Sequence, residues 1–534
     1  MSDTRDMWRI ILPILIVTLP TAALGGESDP KPPAAHEFTH TLAYGSGWEK
    51  IRALSVDQAR KLSRSAGFAL NHENIRAFRN SYSSAYRDIS LEDVPNQLPL
   101  VALETLTVDQ ARELSNFGGN GILLWSLNKL DVEPARELAR YRGDWIQAEL
   151  DLSGLEKLRP DVAGALAGFR GARLKLNGLS KLERSGAAQL ASYRGDELHL
   201  DGLRTISFKS LRALTQFKGN LLSLNGLRDI TTLHARALAK FTGNTIRLDG
   251  INSLDDSETR ELLNFEGQRV DLSGVTYLSD EQAVMLSQAG WNTLNLNGLI
   301  ELNEVQAHAL AEFGGRTLAL NGMTVISDTL LRQLVKFSGE RLELKGMKAV
   351  TQEQARILGR FAGRDLYLSG IGRIGNDSVD EFLRARTSMV WLNARTYVFQ
   401  HNFTPLAESG KIGLMFDDLA ALTRSPVSFI LDWRGGLALT AHGRLTDFQL
   451  KALCSWPGHT LDLAGLKALS PNQANILALA SCAELRLGGL YLVDEKDIET
   501  LAASTIPRID ISGWSNRTQI SFMQFKYDRE MGDF

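Results

Sequence analysis

Leu150 to Arg173 reads LDLSGLEKLRPDVAGALAGFRGAR, and the next twenty-four residues, Leu174 to Glu197, read LKLNGLSKLERSGAAQLASYRGDE. The same arrangement restarts at Leu198, Leu222, Ile246, Val270, Leu294, Leu318, Leu342 and Leu366, each time after twenty-four residues. Its template is LxLxGLxxLSxxxAxxLxxFxGxx, and its places are called positions one to twenty-four below. A fixed period of this length is the signature of a solenoid, whose units bury their apolar sides only by stacking on their neighbours.

Each position has a physical reading. Positions one and three are apolar around a polar position two, the alternation of a short half-buried strand. A Ser, Asn or Asp and a Gly follow at positions four and five, as in Asn177-Gly178 and Asp201-Gly202. That pair predicts a turn in which glycine supplies positive φ. Leu155 and Leu158, at positions six and nine, point back to the core. Ser or Thr at position ten with Gln three residues on predicts capping boxes at Ser55/Gln58, Thr107/Gln110, Ser279/Gln282, Thr351/Gln354 and Ser470/Gln473. Pro160 and Pro471 suit a helix's first turn. Ala187, Leu190 and Tyr193 stand for the inward positions fourteen, seventeen and twenty. The glycines of position twenty-two, such as Gly171, Gly195 and Gly219, are expected to end each helix as left-handed caps. Parallel strands spaced about 4.8 Å apart beneath helices spaced about 8–10 Å apart bend such a stack. The expected fold is therefore α/β, a curved solenoid with short parallel strands on its concave face and helices on its convex face.

Working outward, Trp48–Gly67 resembles Leu103–Gly119, so the array is expected to begin near Ser46. Phe68–Gln97 breaks the template and reads as an insertion or a degenerate repeat. The run IQAELDLSGL from Ile146 suggests a lengthened strand after the overlong unit at Ile122. Past Val390 the template degrades, with Ala394 and Asp418 replacing turn glycines, and units resume at Leu437, Leu461, Leu485 and Ile509. Basic residues Arg5 and Arg9, the apolar run IILPILIVTLP and the small-residue segment TAALGG follow in the order of a secretory signal peptide. An uncleaved N-terminal anchor is the alternative. The resulting organisation is 1–25 signal peptide, 26–45 linker, 46–97 N-terminal repeat and irregular cap, 98–389 regular array, 390–436 degenerate repeats, 437–514 C-terminal repeats and 515–534 closing tail.

The 534 residues carry 59 basic and 62 acidic side chains, which excludes the electrostatic footprint of a nucleic-acid binder. Beyond an N-terminal anchor, nothing points to a membrane. Two cysteines, Cys454 and Cys482, rule out a disulfide scaffold; they read as two buried small side chains or as one disulfide.

The repeated LxLxGLxxLS with its inward Ala and Leu and terminal FxG resembles the bacterial leucine-rich-repeat proteins built of βα units of this length. The resemblance covers Ser46 to Trp514. A Gly-Leu pair such as Gly178-Leu179 stands where the usual motif has its asparagine, which puts the usual asparagine hydrogen-bond ladder in question. The resemblance implies recognition of a protein or ligand in the cell envelope or outside the cell.

Position two varies freely through Asp151, Lys175, His199, Ser223, Arg247, Asp271, Asn295, Ala319 and Glu343, as a recognition surface or a solvated face would. It then turns apolar at Tyr367, Trp391 and Met415. Glu343, Tyr367, Trp391 and Met415 are thus the candidate partner-binding residues, unless the chain folds over the aromatics and buries them. Tyr397, Phe399, His401 and Phe403 lie in the same degraded stretch. Leu123, Trp125 and Val101 form a second apolar group, expected to be covered by Phe68–Gln97. No HExxH, GxSxG, phosphate loop or calcium-loop pattern occurs, so no catalytic, cofactor or metal residue is assigned. Asp417-Asp418 reads as structural. The expected partner is a protein, with carbohydrate as the alternative and an enzyme site in 390–436 as a third reading.

Overall fold

In the computed structural model, the described residues are 53–64, 97–143, 148–393, 410–416, 434–439 and most of 445–532. Three expected features lie outside them: the signal peptide and linker, nearly all of the Phe68–Gln97 segment, and the stretch holding Tyr397 to Phe403 and Asp417-Asp418. The chain divides into two compact units, one reaching from Gly26 to Leu278 and one containing Ser279 to Phe534.

In the first unit the strands are β1 Gln97–Pro99, β2 Gly121–Leu123, β3 Glu149–Asp151, β4 Arg173–Lys175, β5 Glu197–His199, β6 Leu221–Ser223, β7 Thr245–Arg247 and β8 Arg269–Asp271. Each pairs in parallel with the next, from Gln97↔Gly121 to Asp271 opposite Arg247. In the second unit they are β9 Thr293–Asn295, β10 Thr317–Ala319, β11 Arg341–Glu343, β12 Asp365–Tyr367, β13 Met389–Asn393, β14 Ile412–Phe416, β15 Gly436–Leu439, β16 Thr460–Asp462, β17 Glu484–Arg486 and β18 Arg508–Asp510, again paired in parallel in chain order. Helices of mostly seven or eight residues, such as Pro160–Leu166 and Arg184–Leu190, alternate with the strands. This is a leucine-rich-repeat solenoid. β3 is no longer than its neighbours, contrary to the lengthened strand expected from Ile146.

The core lies between strands and helices. Leu174, Leu176, Leu179, Ala187 and Leu190 are fully buried, as are their counterparts in the other regular units. Removing a Leu side chain from water contributes about 1.5–3 kcal/mol, so the repeated leucines supply the main cohesion. Position-twenty rings stack from Phe117 through Tyr141, Phe169, Tyr193, Phe217 and Phe241 to Phe265, with centroids 5.7–6.3 Å apart. In the second unit Phe313, Phe337 and Phe361 continue the pattern.

The capping boxes at Ser55, Thr107, Ser279 and Thr351 are present, while Ser470 and Pro471 lie outside the described residues. The capping glutamine also ties one unit to the one before. Gln354 Nε2 donates to Ile326 O (3.0 Å) and Gln473 Nε2 to Leu445 O (2.7 Å), each 28 residues back. Gln110 makes the same bond to Leu54 O, 56 residues back. Helix Val56–Ser63 therefore stands where the helix of the preceding unit would, and the stretch between lies outside the described residues.

Two expectations about glycine are corrected. Among the described glycines only Gly143 and Gly410 have positive φ. Helices end on right-handed residues such as Ala167 (φ −63°, ψ −15°), several positions before the position-twenty-two glycine. The reason for glycine is space. A Cβ on Gly202 would lie 2.0 Å from the Asn177 carbonyl oxygen, and one on Gly219 would lie 2.1 Å from Phe217 Cζ. The second contact explains why some units invert the pair: where position twenty is only an alanine, position twenty-two carries a buried side chain, as in Ala289/Trp291, Ala385/Thr387 and Ala480/Cys482.

The usual asparagine place is taken by the Gly-Leu pair, and a ladder of Asn and Asp side chains stands instead at position four. Asp201 N donates to Asn177 Oδ1 (2.9 Å), Asn225 N to Asp201 Oδ1 (2.9 Å), Asp249 N to Asn225 Oδ1 (3.0 Å) and Ser273 N to Asp249 Oδ1 (3.1 Å). In the second unit Asn321 N donates to Asn297 Oδ1 (3.0 Å) and Lys345 N to Asn321 Oδ1 (2.9 Å).

Candidate functional site on the inner strand face

Strand alternation puts Leu366 into the core and Asp365 and Tyr367 on the opposite, inner face of β12. Tyr367 faces Trp391 across the β12–β13 ladder, and their rings stack at 5.6 Å with an interplanar angle of 8°. The template aligns Trp391 with Met415, but β13 and β14 pair at a shorter offset. Trp391 lies opposite Gly413, and Met415 lies opposite Asn393. The indole then runs over two glycines. A Cβ on Gly413 would be 2.4 Å from Trp391 Cε3, and one on Gly436 would be 2.7 Å from Trp391 Cη2. Tyr367, Met389, Trp391, Met415 and Ala438 form one buried cluster, with Trp391 at 0% and Tyr367 at 4% exposure. The candidate aromatics are thus together and enclosed within the chain. Glu343 stands apart and half-buried, held by Lys345 Nζ (2.8 Å) and Asn321 Nδ2 (3.1 Å). Burial pushes its carboxyl up, but the Lys345 and Arg341 charges prevail and leave it lowered.

The enclosing group is Arg486, on β17, more than a hundred residues away. Its Nη2 donates to Asp365 Oδ1 (2.8 Å) and to Glu484 Oε2 (3.0 Å), and its Nη1 donates to the Tyr367 hydroxyl (3.2 Å). Its guanidinium carbon lies 5.3 Å from the Trp391 ring centroid. Asp365 Oδ1 also accepts from Trp391 Nε1 (2.8 Å). Arg364 makes a second set of links, to Glu484 (2.9 Å) and Asp510 (3.1 Å). Within this unit the strand layer turns far enough for β12 to touch β17 and β18. Burial would raise the Asp365 carboxyl, but Arg486, Arg341 and Arg364 overcome it and hold it lowered. Burial dominates at Asp462 and raises it.

This is a preformed guanidinium pocket, with two carboxylates at one Nη, a phenol at the other and an aromatic ring beside it. Sequence reading singled out Tyr367 and Trp391 but missed Asp365, Glu484 and Arg486. A signal existed at position twenty-four, which alternates in charge through Glu149, Arg173 and Glu197 and carries Asp365 and Glu484 in the later units. Position twenty-four shares the inner face with position two.

The first unit's inner face is also paired rather than openly displayed. Lys175 Nζ donates to Glu149 (2.9 Å), Ser223 Oγ to Asp201 (2.6 Å), and His199 Nε2 lies 2.8 Å from Glu197. Val101, Leu123 and Trp125 are buried there, with Trp125 Nε1 donating to Asp151 Oδ2 (2.9 Å). Burial would raise Glu197, yet the hydrogen bond and charge of His199, with Arg173 and Arg247, lower it to about 2. His199 is raised: burial opposes its charge, and Asp201 and Glu197 outweigh burial. Cys454 and Cys482 are free buried thiols, pushed up by burial to about 12 and about 11. Among the described residues no group of His, Cys, Asp and Glu is arranged to hold a metal ion, and no helix is long and apolar enough to cross a membrane.

No family description and no curated protein matches the sequence. Solved structures do resemble it. They include the Toll–Spätzle complex of Drosophila (12% identity, 73% of this chain and 49% of that chain covered, TM-score 0.34). The TLR13–ssRNA13 complex gives 16% identity, 74% and 66% coverage and a TM-score of 0.35. The yeast Rad7–Elc1 complex gives 14% identity, 64% and 91% coverage and a TM-score of 0.35. The chain spans about half the length of the Toll chain it matches.

Proposed function

We propose that the protein is an exported, non-enzymatic interaction protein that binds a protein partner through the inner face of its second unit. The observation that carries this reading is the aromatic, carboxylate-lined pocket formed by Asp365, Tyr367, Trp391 and Glu484, side-chain chemistry suited to another protein's side chains. Glu343 borders the same face two strands from Trp391. A sugar ring fits less well, because Tyr367 and Trp391 stack on each other and Arg486 covers the Trp391 ring. The order of basic, apolar and small residues at the N-terminus supports export.

The test is affinity capture from the native envelope fraction, followed by one-to-one reconstitution of the purified partner with wild type, Trp391→Phe and Glu343→Lys. The expected result is a partner whose affinity falls about tenfold or more with Glu343→Lys. Unchanged affinity in both variants would move the binding surface elsewhere. N-terminal sequencing of the protein recovered outside the cytoplasm is expected to begin near residue 24 or 26, and an intact Met1 would refute cleavage.

A further inference from the structure

We infer that the pocket around Arg486 is an arginine-recognition site that the chain fills from its own β17, and that an arginine side chain of the protein partner takes its place. The inference rests on the protein-interaction reading above and names the side chain recognised.

Three observations converge on it. Asp365 and Glu484 meet one edge of the guanidinium, the Tyr367 hydroxyl meets the other Nη, and Trp391 lies beside its face. That set suits a flat, delocalised cation; a lysine ammonium would leave the fork geometry unused. Next, the fit of the resident group is incomplete. Arg486 Nε is buried and finds no acceptor among the described residues, so an arginine entering at another angle has a further bond to gain. Finally, β12 meets β17 and β18 through polar links: Arg486 with Asp365 and Tyr367, and Arg364 with Glu484 and Asp510. An incoming guanidinium exchanges for such bonds one for one. When Arg486 leaves, the face of Trp391 it covered becomes available to the partner.

The experiment uses the full-length protein, wild type and Arg486→Ala, melted with and without millimolar methylguanidinium, with methylammonium as control. Methylguanidinium is expected to raise the melting temperature of Arg486→Ala by several degrees and to leave wild type unmoved, with methylammonium ineffective. A labelled glycine pentapeptide with one central arginine is expected to bind Arg486→Ala about tenfold tighter than wild type. The citrulline version should show no such gain, and adding Asp365→Asn should remove it. Equal effects of methylguanidinium and methylammonium, or equal peptide binding by wild type and variant, would overturn the inference. So would failure of both Arg486→Ala and Arg486→Gln to fold even with methylguanidinium present, since the pocket would then not accept a guanidinium from outside. The rescue is read with no partner in solution, so it stands or falls separately from the partner reconstitution.

Discussion

Gly202→Ala tests the claim that the turn glycines serve close packing between units rather than positive φ. The alanine Cβ would sit 2.0 Å from the Asn177 carbonyl oxygen and 2.9 Å from that of Leu179. Ordinary C···O contact begins at roughly 3.3 Å, so the turn must retreat by about 1.3 Å from a neighbour that is backbone and cannot swing aside. Strands in a parallel sheet lie only about 4.8 Å apart, so such a retreat strains the Leu200–Ser223 and Leu176–His199 backbone hydrogen bonds around it. Overpacking of this kind costs about 1–3 kcal/mol, and a backbone clash belongs at the upper end. Gly118→Ala is the control, because its Cβ would meet nothing within 4 Å. It is expected to be neutral or to stabilise by about 0.4–1 kcal/mol through the unfolded chain. Urea denaturation gives both values, and hydrogen exchange of the segment around residues 176–203 localises the loss. A Gly202→Ala protein within about 0.5 kcal/mol of wild type would refute the close-packing account.

The inverted position-twenty and position-twenty-two pairs predict strong coupling in a double-mutant cycle. Gly339→Ala puts a Cβ 2.2 Å from Phe337 Cζ and 2.5 Å from the Gly315 carbonyl oxygen and should destabilise by about 1–3 kcal/mol; with Phe337→Ala already made, the same change should cost less, because only the carbonyl contact is left, and additive effects would refute steric exchange. His199 is raised in the folded state, so its contribution is full below the unfolded histidine value and lost as pH rises through the folded one. Between pH 6 and 9 the wild-type melting temperature should therefore fall more than that of His199→Asn; parallel curves would show that the His199–Glu197 contact contributes nothing. At the acid end Glu197, lowered to about 2, should lose its contribution as pH drops from the unfolded carboxylate range toward 2.

The period of twenty-four made the architecture legible because every unit repeats the same burial problem. Leu174 and Leu198 face the core for the same reason, and the boxes at Thr107 and Thr351 cap for the same reason. The misreadings arose where a residue's role depends on the adjacent unit. Gly202 looks like a φ residue until the Asn177 carbonyl is in place beside it, and Gly219 looks like a cap until the Phe217 ring is. The site shows this more strongly. Tyr367 and Trp391 announce themselves by type, but the shorter β13–β14 offset that seats Trp391 over Gly413 is set by pairing, and a template cannot show it. Arg486 is more than a hundred residues from Asp365 and Tyr367, joined to them only by how far the strand layer turns within the unit.

The position-four ladder has a direction. Each side-chain oxygen serves the amide one period downstream, so any member both receives a bond and passes one on. An in-frame duplication of twenty-four residues between Asn225 and Asp249 would leave every link satisfied, and the array can lengthen without inventing a new contact. Lys345 receives its bond from Asn321 but has no side-chain oxygen to hand forward. Repeat copying thus has a built-in stop, placed one strand before the ionic face of β12 begins. Units upstream of it share one ladder and differ in the charges they pair on the inner face, as Lys175 with Glu149 shows, while those downstream differ in both.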